Sequence, residues 1–279
     1  MEKTMKSDMQ PFELYAVQCA RHRGHKASSN VIGADINDSG ADLSYYVWVA
    51  RRAEEVFLID TGFTPEAAAA SGGREYYIRP SEALLFLNIN PATLKNVIIT
   101  HLHYDHAGTI ADFTGAEFHL QEREAAYATG KRMCHSWLRK PFQVEDIIAY
   151  VRKLYDGKIR FHSGDAELTP GLSVHCVGGH TDGMQVVRVY TKRGWVVLAS
   201  DAAHYYENMV MKSPFPVVYH MGDMLDGYHQ IFELASSPDH VIPGHDPLVA
   251  ERYPMIGSNQ GIVIVALDES PKTGAVDEA

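Results

Sequence analysis

The stretch Thr100-His101-Leu102-His103-Tyr104-Asp105-His106-Ala107-Gly108 (THLHYDHAG) decides how this chain is read. It follows Val97–Thr100, an apolar, β-branched run that predicts a strand. Four groups of ligand type, His101, His103, Asp105 and His106, therefore leave one strand end within six residues. Two histidines two residues apart can face one ion, and the Asp-His pair behind them turns toward a second position. Neutral imidazole and carboxylate are the usual ligands of zinc and neighbouring divalent ions. The bland alternative is a polar turn whose histidines face solvent, and four such groups so close together speak against it.

Three later places repeat the pattern. Strand 172–177 runs into Gly178-Gly179-His180, strand 195–199 into Ser200-Asp201, and strand 240–242 into Pro243-Gly244-His245. Each is an apolar run ending in a ligand-type residue, and glycines at 178, 179 and 244 let the backbone approach closely. Alone each is ambiguous, since a histidine after Gly-Gly reads as a turn and an aspartate at a strand end as a helix cap.

The series HLHYDH, GGHTDG, ASDA and PGHD, in that order, resembles the metallo-β-lactamase-fold hydrolases, and Ile59-Asp60-Thr61-Gly62 matches that superfamily's early strand and turn. The likeness runs from about residue 45 to about 250. It implies an α/β fold, a single-domain four-layer αββα sandwich with metals at one edge. Carried over by position, His101, His103 and His180 would hold one ion and Asp105, His106 and His245 a second, with Asp201 bridging. The cofactor implied is a pair of divalent ions, zinc foremost, and no organic cofactor is required.

Residue patterns elsewhere agree with an alternating α/β chain. Strands are predicted over Phe12–Cys19, Tyr45–Ala50 and Val56–Asp60, and helices over the PEAAAA segment, Ser81–Leu87, 122–128, 144–155 and Met221–Ser236. Residues 1–11 and 266–279 read as flexible ends around one domain, 12–265. The 279 residues carry 25 basic and 35 acidic side chains, a net charge of −10 that speaks against nucleic acid or an anionic membrane as partner. No run is long and apolar enough to span a membrane, and no secretory signal is recognised. Three scattered cysteines, Cys19, Cys134 and Cys176, suggest a reduced, cytoplasmic setting.

Within the superfamily the chain is most similar to N-acyl homoserine lactonases and related small-lactone hydrolases, through GGHTDGMQ, DAAHYYEN and the final PGHD. The expected reaction is lactone opening by a metal-bridging hydroxide, with Asp105 passing a proton to the leaving alkoxide, and quorum quenching would be its consequence. Those lactonases carry a tyrosine three residues after the bridging aspartate. Here that position is His204, followed by Tyr205, and one of the two is expected to contact the substrate carbonyl. A glyoxalase-II-like thioesterase, or another cyclic ester or amide hydrolase, shares much of the pattern. A mononuclear-iron sulfur dioxygenase shares the histidine series, and a non-catalytic sensor is the remaining class. Family analogy allows a homodimer. The aromatic and basic stretch 133–142, with Tyr150 and Tyr155, is a candidate substrate lid, dimer contact or plain surface helix. Among the other histidines, His22, His25 and His135 are the pocket candidates.

Overall fold

The computed structural model describes residues 9–272 apart from positions 36, 39 and 260. Among them are fourteen strands, numbered here in chain order. The larger sheet contains β1 (Glu13–His22), β2 (Leu43–Arg52), β3 (Glu55–Ile59), β4 (Arg74–Tyr76), β5 (Asn96–Ile98), β6 (Glu117–Gln121) and β7 (Ile159–His162). The smaller contains β8 (Ala166–Thr169), β9 (Leu172–Cys176), β10 (Gln185–Thr191), β11 (Gly194–Ser200) and β12 (Val241–Pro243). The chain then returns to the larger sheet with β13 (Met255–Asn259) and β14 (Ile262–Ala266). Strand order is β13-β14-β1-β2-β3-β5-β6-β7, with β4 paired to β1, and β12-β11-β10-β9-β8.

The long apolar runs of β1 and β2 are explained by burial on both faces, where strands lose the usual apolar–polar alternation. Leu14, Ala16, Tyr46 and Trp48 join Val174, Val187, Val189 and Leu198 in a core between the sheets. Tyr15, Val17, Val47 and Val49 point the other way, onto Leu84, Ile110, Phe113 and Tyr150 from helical segments. On the far side of the smaller sheet, helix Met221–Leu234 packs against β11 and contributes Tyr228 and Ile231 to the core. Val196 to Ala199 are all fully buried, as a strand covered on both faces requires. The layers are thus helix, sheet, sheet, helix. Each large side chain buried this way contributes roughly 1.5–3 kcal/mol.

Helices Glu122–Ala128 and Val144–Tyr155 coincide with their predicted spans, and Pro65–Ser71 is capped by Thr64, whose hydroxyl accepts from Ala67 N at 3.2 Å. The segment predicted as one helix near Ser81–Leu87 divides into helix Pro80–Ala83 and a 3-10 turn, Leu84–Leu87. The expected flexible ends lie outside the described residues for 1–8 and 273–279. The chain is still packed beyond residue 266: Leu267 N donates to Leu14 O at 2.7 Å, and Asp268 is buried. No helix among the described residues is long and apolar enough to cross a membrane.

Candidate metal centre

Two parallel strand pairs, β3–β5 in one sheet and β11–β12 in the other, end at the same edge of the sandwich. Their C-terminal ends deliver Asp60, His101, Asp201 and His245 to one place, and the turn after β9 adds His180. Carboxyl ends of parallel strands are the usual position for a site in α/β folds. The short helix Tyr104–Ala107 then turns Asp105 and His106 back toward that edge.

His101, His103 and His180 form one group. His101 Nε2 lies 3.0 Å from His103 Nδ1, and His180 Nε2 lies 3.2 Å and 2.8 Å from those same two nitrogens. The three nitrogens are thus near enough to one another to share a single cation. His180 Nδ1 donates to Val217 O at 2.7 Å, so its Nε2 presents a lone pair to the group. Burial, and then the neighbouring imidazoles, hold His101 and His103 well below the ordinary histidine range. Three neutral nitrogens converging on one point suit a cation.

Asp105, His106 and His245 form the second group, with Asp105 Oδ2 3.8 Å from Nε2 of each histidine. His106 Nδ1 donates to Asp60 Oδ2 at 2.7 Å, and His245 Nδ1 to Ser44 O at 2.8 Å. Both Nε2 atoms therefore aim inward. Asp201 stands between the groups: Oδ2 is 3.3 Å from His180 Nε2, while Oδ1 is 3.3 Å from His106 Nε2 and 3.0 Å from His245 Nε2. His106 Nε2, His245 Nε2 and Asp201 Oδ1 are buried with no hydrogen-bond partner among the described residues. Burial would lower His106, but Asp201, Asp105 and Asp60 outweigh it and hold it well above the usual value. Native proteins rarely leave such atoms orphaned. Outer oxygens fixing the tautomer of inward-facing imidazoles are the general mark of a metal centre. The residues present fit a pair of divalent ions.

The framework contains two residues to which the sequence reading gave no role in the site, Asp60 and Glu124. Asp60 is fully buried with φ of 62° and receives Thr100 N, the Thr100 hydroxyl and His106 Nδ1 within 2.8 Å. It ties β3 to the loop that carries the first histidines. Glu124, also fully buried, accepts from Leu102 N at 2.9 Å and from Thr181 Oγ1 and Gly183 N, bracing the first and third motifs together. Burial lifts its carboxyl to about 7 against the three donors. A Cβ on Gly244 would stand 2.6 Å from Ser200 O and 2.9 Å from Asp201 Oδ1, so only glycine fits beside Asp201.

His204 belongs to the cluster: its Nε2 is 2.9 Å from Asp201 Oδ2, and its ring stacks on Phe215 with centroids 3.3 Å apart. Burial lowers its pKa to about 3, so it is neutral. Tyr205 differs from expectation. Its hydroxyl donates to Asp42 O at 3.3 Å and its ring packs with Leu43, Tyr45 and Phe63, so it is committed to the core. The phenols bordering the second group are Tyr45, 5.3 Å from the His245 ring, and Tyr104, whose oxygen accepts from Arg74 Nε at 2.9 Å. The stretch 133–142 reaches the site through Trp137, Leu138 and Pro141, which line a cleft with His103 and His180. Tyr150 is buried under the larger sheet and Tyr155 is exposed, so neither walls the site. His22, His25 and His135 join none of the donor groups. A larger cavity of about 530 Å³, between the β2–β3 turn and residues 88–96, lies at the opposite strand ends.

The sequence profile of the metallo-beta-lactamase superfamily matches residues 40–245, a span containing every donor from His101 to His245. An N-acyl homoserine lactonase of Bacillus thuringiensis is 28% identical over 189 residues, covering 62% of this chain and 70% of that protein. A solved quorum-quenching N-acyl homoserine lactone lactonase superposes with a TM-score of 0.72 at 24% identity, over 86% of this chain and 95% of the other. AidC, a dizinc quorum-quenching lactonase solved with a reaction product, gives 0.68 at 15% identity, over 92% and 95%. The chain belongs to the metallo-beta-lactamase superfamily.

Proposed function

We propose that this protein is a metal-dependent hydrolase that opens a small lactone ring, an N-acyl homoserine lactone or a similar one, with two zinc ions as cofactors. One observation carries the reading: two groups of inward-facing histidine and carboxylate donors share Asp201, one oxygen toward each. The lactonases it resembles, AidC with its two zinc ions among them, support the substrate class.

His101, His103 and His180 would hold one ion, Asp105, His106 and His245 the other, and Asp201 both. Held there, the pair would acidify water and polarise a carbonyl oxygen. Water adds to the lactone carbonyl carbon, the ring C–O bond breaks, and the products are a carboxylate and a hydroxyl. Asp105 carries the proton to the departing alkoxide; its side chain is 13% exposed against 4% for Asp201, so it is the carboxylate that substrate reaches. His204, donating from Nε2 to Asp201 Oδ2, acts as a positioning residue for the shared carboxylate and has no N–H left for the substrate carbonyl. The deep burial of the donors excludes bulk water and strengthens the electrostatics of the site.

The test is a substrate panel on zinc-loaded protein: proton release from a medium-chain N-acyl homoserine lactone, thiol release from a matched thioester, and oxygen uptake with a persulfide. Faster lactone opening with no oxygen uptake is expected. Preference for the thioester, or oxygen consumption, would overturn the reading.

A further inference from the structure

The segment Lys131–Lys140, KRMCHSWLRK, carries four cations in a chain of net charge −10, and no Asp or Glu occurs between Glu124 and Glu145. It forms a 3-10 turn, Lys131–Cys134, and a short helix, Ser136–Arg139. Its position is fixed relative to the metal centre: Pro141 O accepts from Tyr104 N at 3.0 Å, directly after His103. Trp137 and Leu138 face Val217 and Val218 across the cleft that reaches His103 and His180. The basic segment is therefore one rim of the site.

Two properties set this rim apart: an exposed tryptophan and cations without carboxylate partners among the described residues. Trp137 is 66% exposed, a large apolar face left in water beside the cleft. The cations are also uncompensated. Elsewhere Arg21, Arg51, Arg79, Arg160 and Lys192 pair with carboxylates, but among the described residues none of Lys131, Arg132, Arg139 and Lys140 forms an ion pair. Their contacts are with aromatic rings and backbone: Arg132 lies over Tyr219 at 5.5 Å, Lys140 beside Trp137 at 5.9 Å, and Arg139 donates to Met133 O.

We infer that this rim selects substrates whose non-reacting end carries an anion, a carboxylate or a phosphate, joined to an apolar or aromatic portion that covers Trp137. The inference rests on the hydrolase reading above and narrows its substrate class. A neutral acyl chain would cover the tryptophan but gain nothing from four unpaired cations. An anionic chain gains both, and a local positive field in an acidic protein concentrates anions at this one mouth. Such attraction between exposed charges is screened by salt, which makes it separable from apolar packing.

The experiment compares three N-acyl homoserine lactones of equal chain length, ending in methyl, carboxylate or phosphate, on the native protein and on the K131Q/R132Q/R139Q/K140Q variant. The native protein should show a KM at least about tenfold lower for an anionic lactone than for the methyl-ended one at low salt. That advantage should vanish in the variant and near 0.5 M salt, where the Debye length falls to about 4 Å, while the methyl-ended lactone is unaffected. Whichever anionic lactone has the lower KM identifies carboxylate or phosphate. Equal KM values for all three, or an anionic advantage kept by the variant, would overturn the inference. If no lactone is opened, the hydrolase reading falls separately and binding decides the rim. Anilinonaphthalene sulfonate should then bind the native protein more tightly than neutral phenylnaphthylamine, and equally tightly in the variant; no native preference would overturn the inference.

Discussion

Replacing Asp60 by asparagine tests the metal centre without touching a donor. Asp60 sits at φ 62°, a left-handed conformation that asparagine adopts readily, so the backbone is preserved. The aspartate offers only acceptors, and three donors meet it: Thr100 N at 2.7 Å, the Thr100 hydroxyl at 2.8 Å and His106 Nδ1 at 2.7 Å. An asparagine oriented to accept from Thr100 N turns its NH2 toward His106 Nδ1. That nitrogen must then become the acceptor, and the ring proton moves to Nε2, the atom aimed at Asp201. The opposite amide orientation sets two donors against each other in a fully buried place, at about 1–3 kcal/mol. Either way the inward lone pair of His106 is lost or strained. Loss of an outer partner of a ligating histidine typically costs about 10–100-fold in metal affinity, or about 1.4–2.8 kcal/mol. Competition with a chromophoric zinc chelator reads both sites at once. D60N should keep one ion at native affinity and weaken the other by that factor, with partial recovery of activity in excess zinc. Two ions held at native affinity would refute the reasoning.

Other substitutions probe different parts of the centre. G244A puts a Cβ 2.6 Å from Ser200 O; it should lower stability by about 1–3 kcal/mol and activity with it, and excess zinc should not restore the rate. Full activity in that variant would show that the bridging position tolerates displacement. H204F keeps an aromatic ring stacked on Phe215 but removes the N–H held on Asp201; kcat should fall about tenfold or more with little change in KM. An unchanged kcat would reduce His204 to packing. Glu124 has a folded-state pKa of about 7 against 4.5 for the free side chain. Between those values the unfolded chain has released the proton and the folded chain retains it, so this group's contribution makes stability fall as pH rises through the window. In a comparison of denaturant unfolding from pH 4 to 8, E124Q should lack that decline, and parallel curves would contradict the assignment.

The convergence of these side chains was legible in the sequence because chemistry and position coincide: His101, His180, Asp201 and His245 each stand just past an apolar strand. Asp60 and Glu124 were not legible as framework residues. One reads as a turn residue and the other as an acid in the first turn of a helix. Their roles arise only when residue 60 meets 106, and residue 124 meets 102 and 181. Strands β6 and β7 escaped because charged and polar residues interrupt them. Their histidines are used in the sheet, His119 stacking on His162 with rings 5.3 Å apart. The β13–β14 hairpin depends on pairing with β1, some 250 residues away, which no local pattern encodes. Between His204 and Tyr205 the sequence left the choice open, because one residue of register separates them: on the edge after β11 it is His204 that turns inward, and Tyr205 caps the short helix Tyr206–Val210.

The most direct test of the proposed two-metal hydrolysis is the rate of lactone opening followed by proton release as zinc is added to metal-free protein. The account predicts a rate that rises until two ions are bound per chain, with Asp201→Ala inactive throughout. A maximum at one ion, or no acidification with both ions bound, would contradict it.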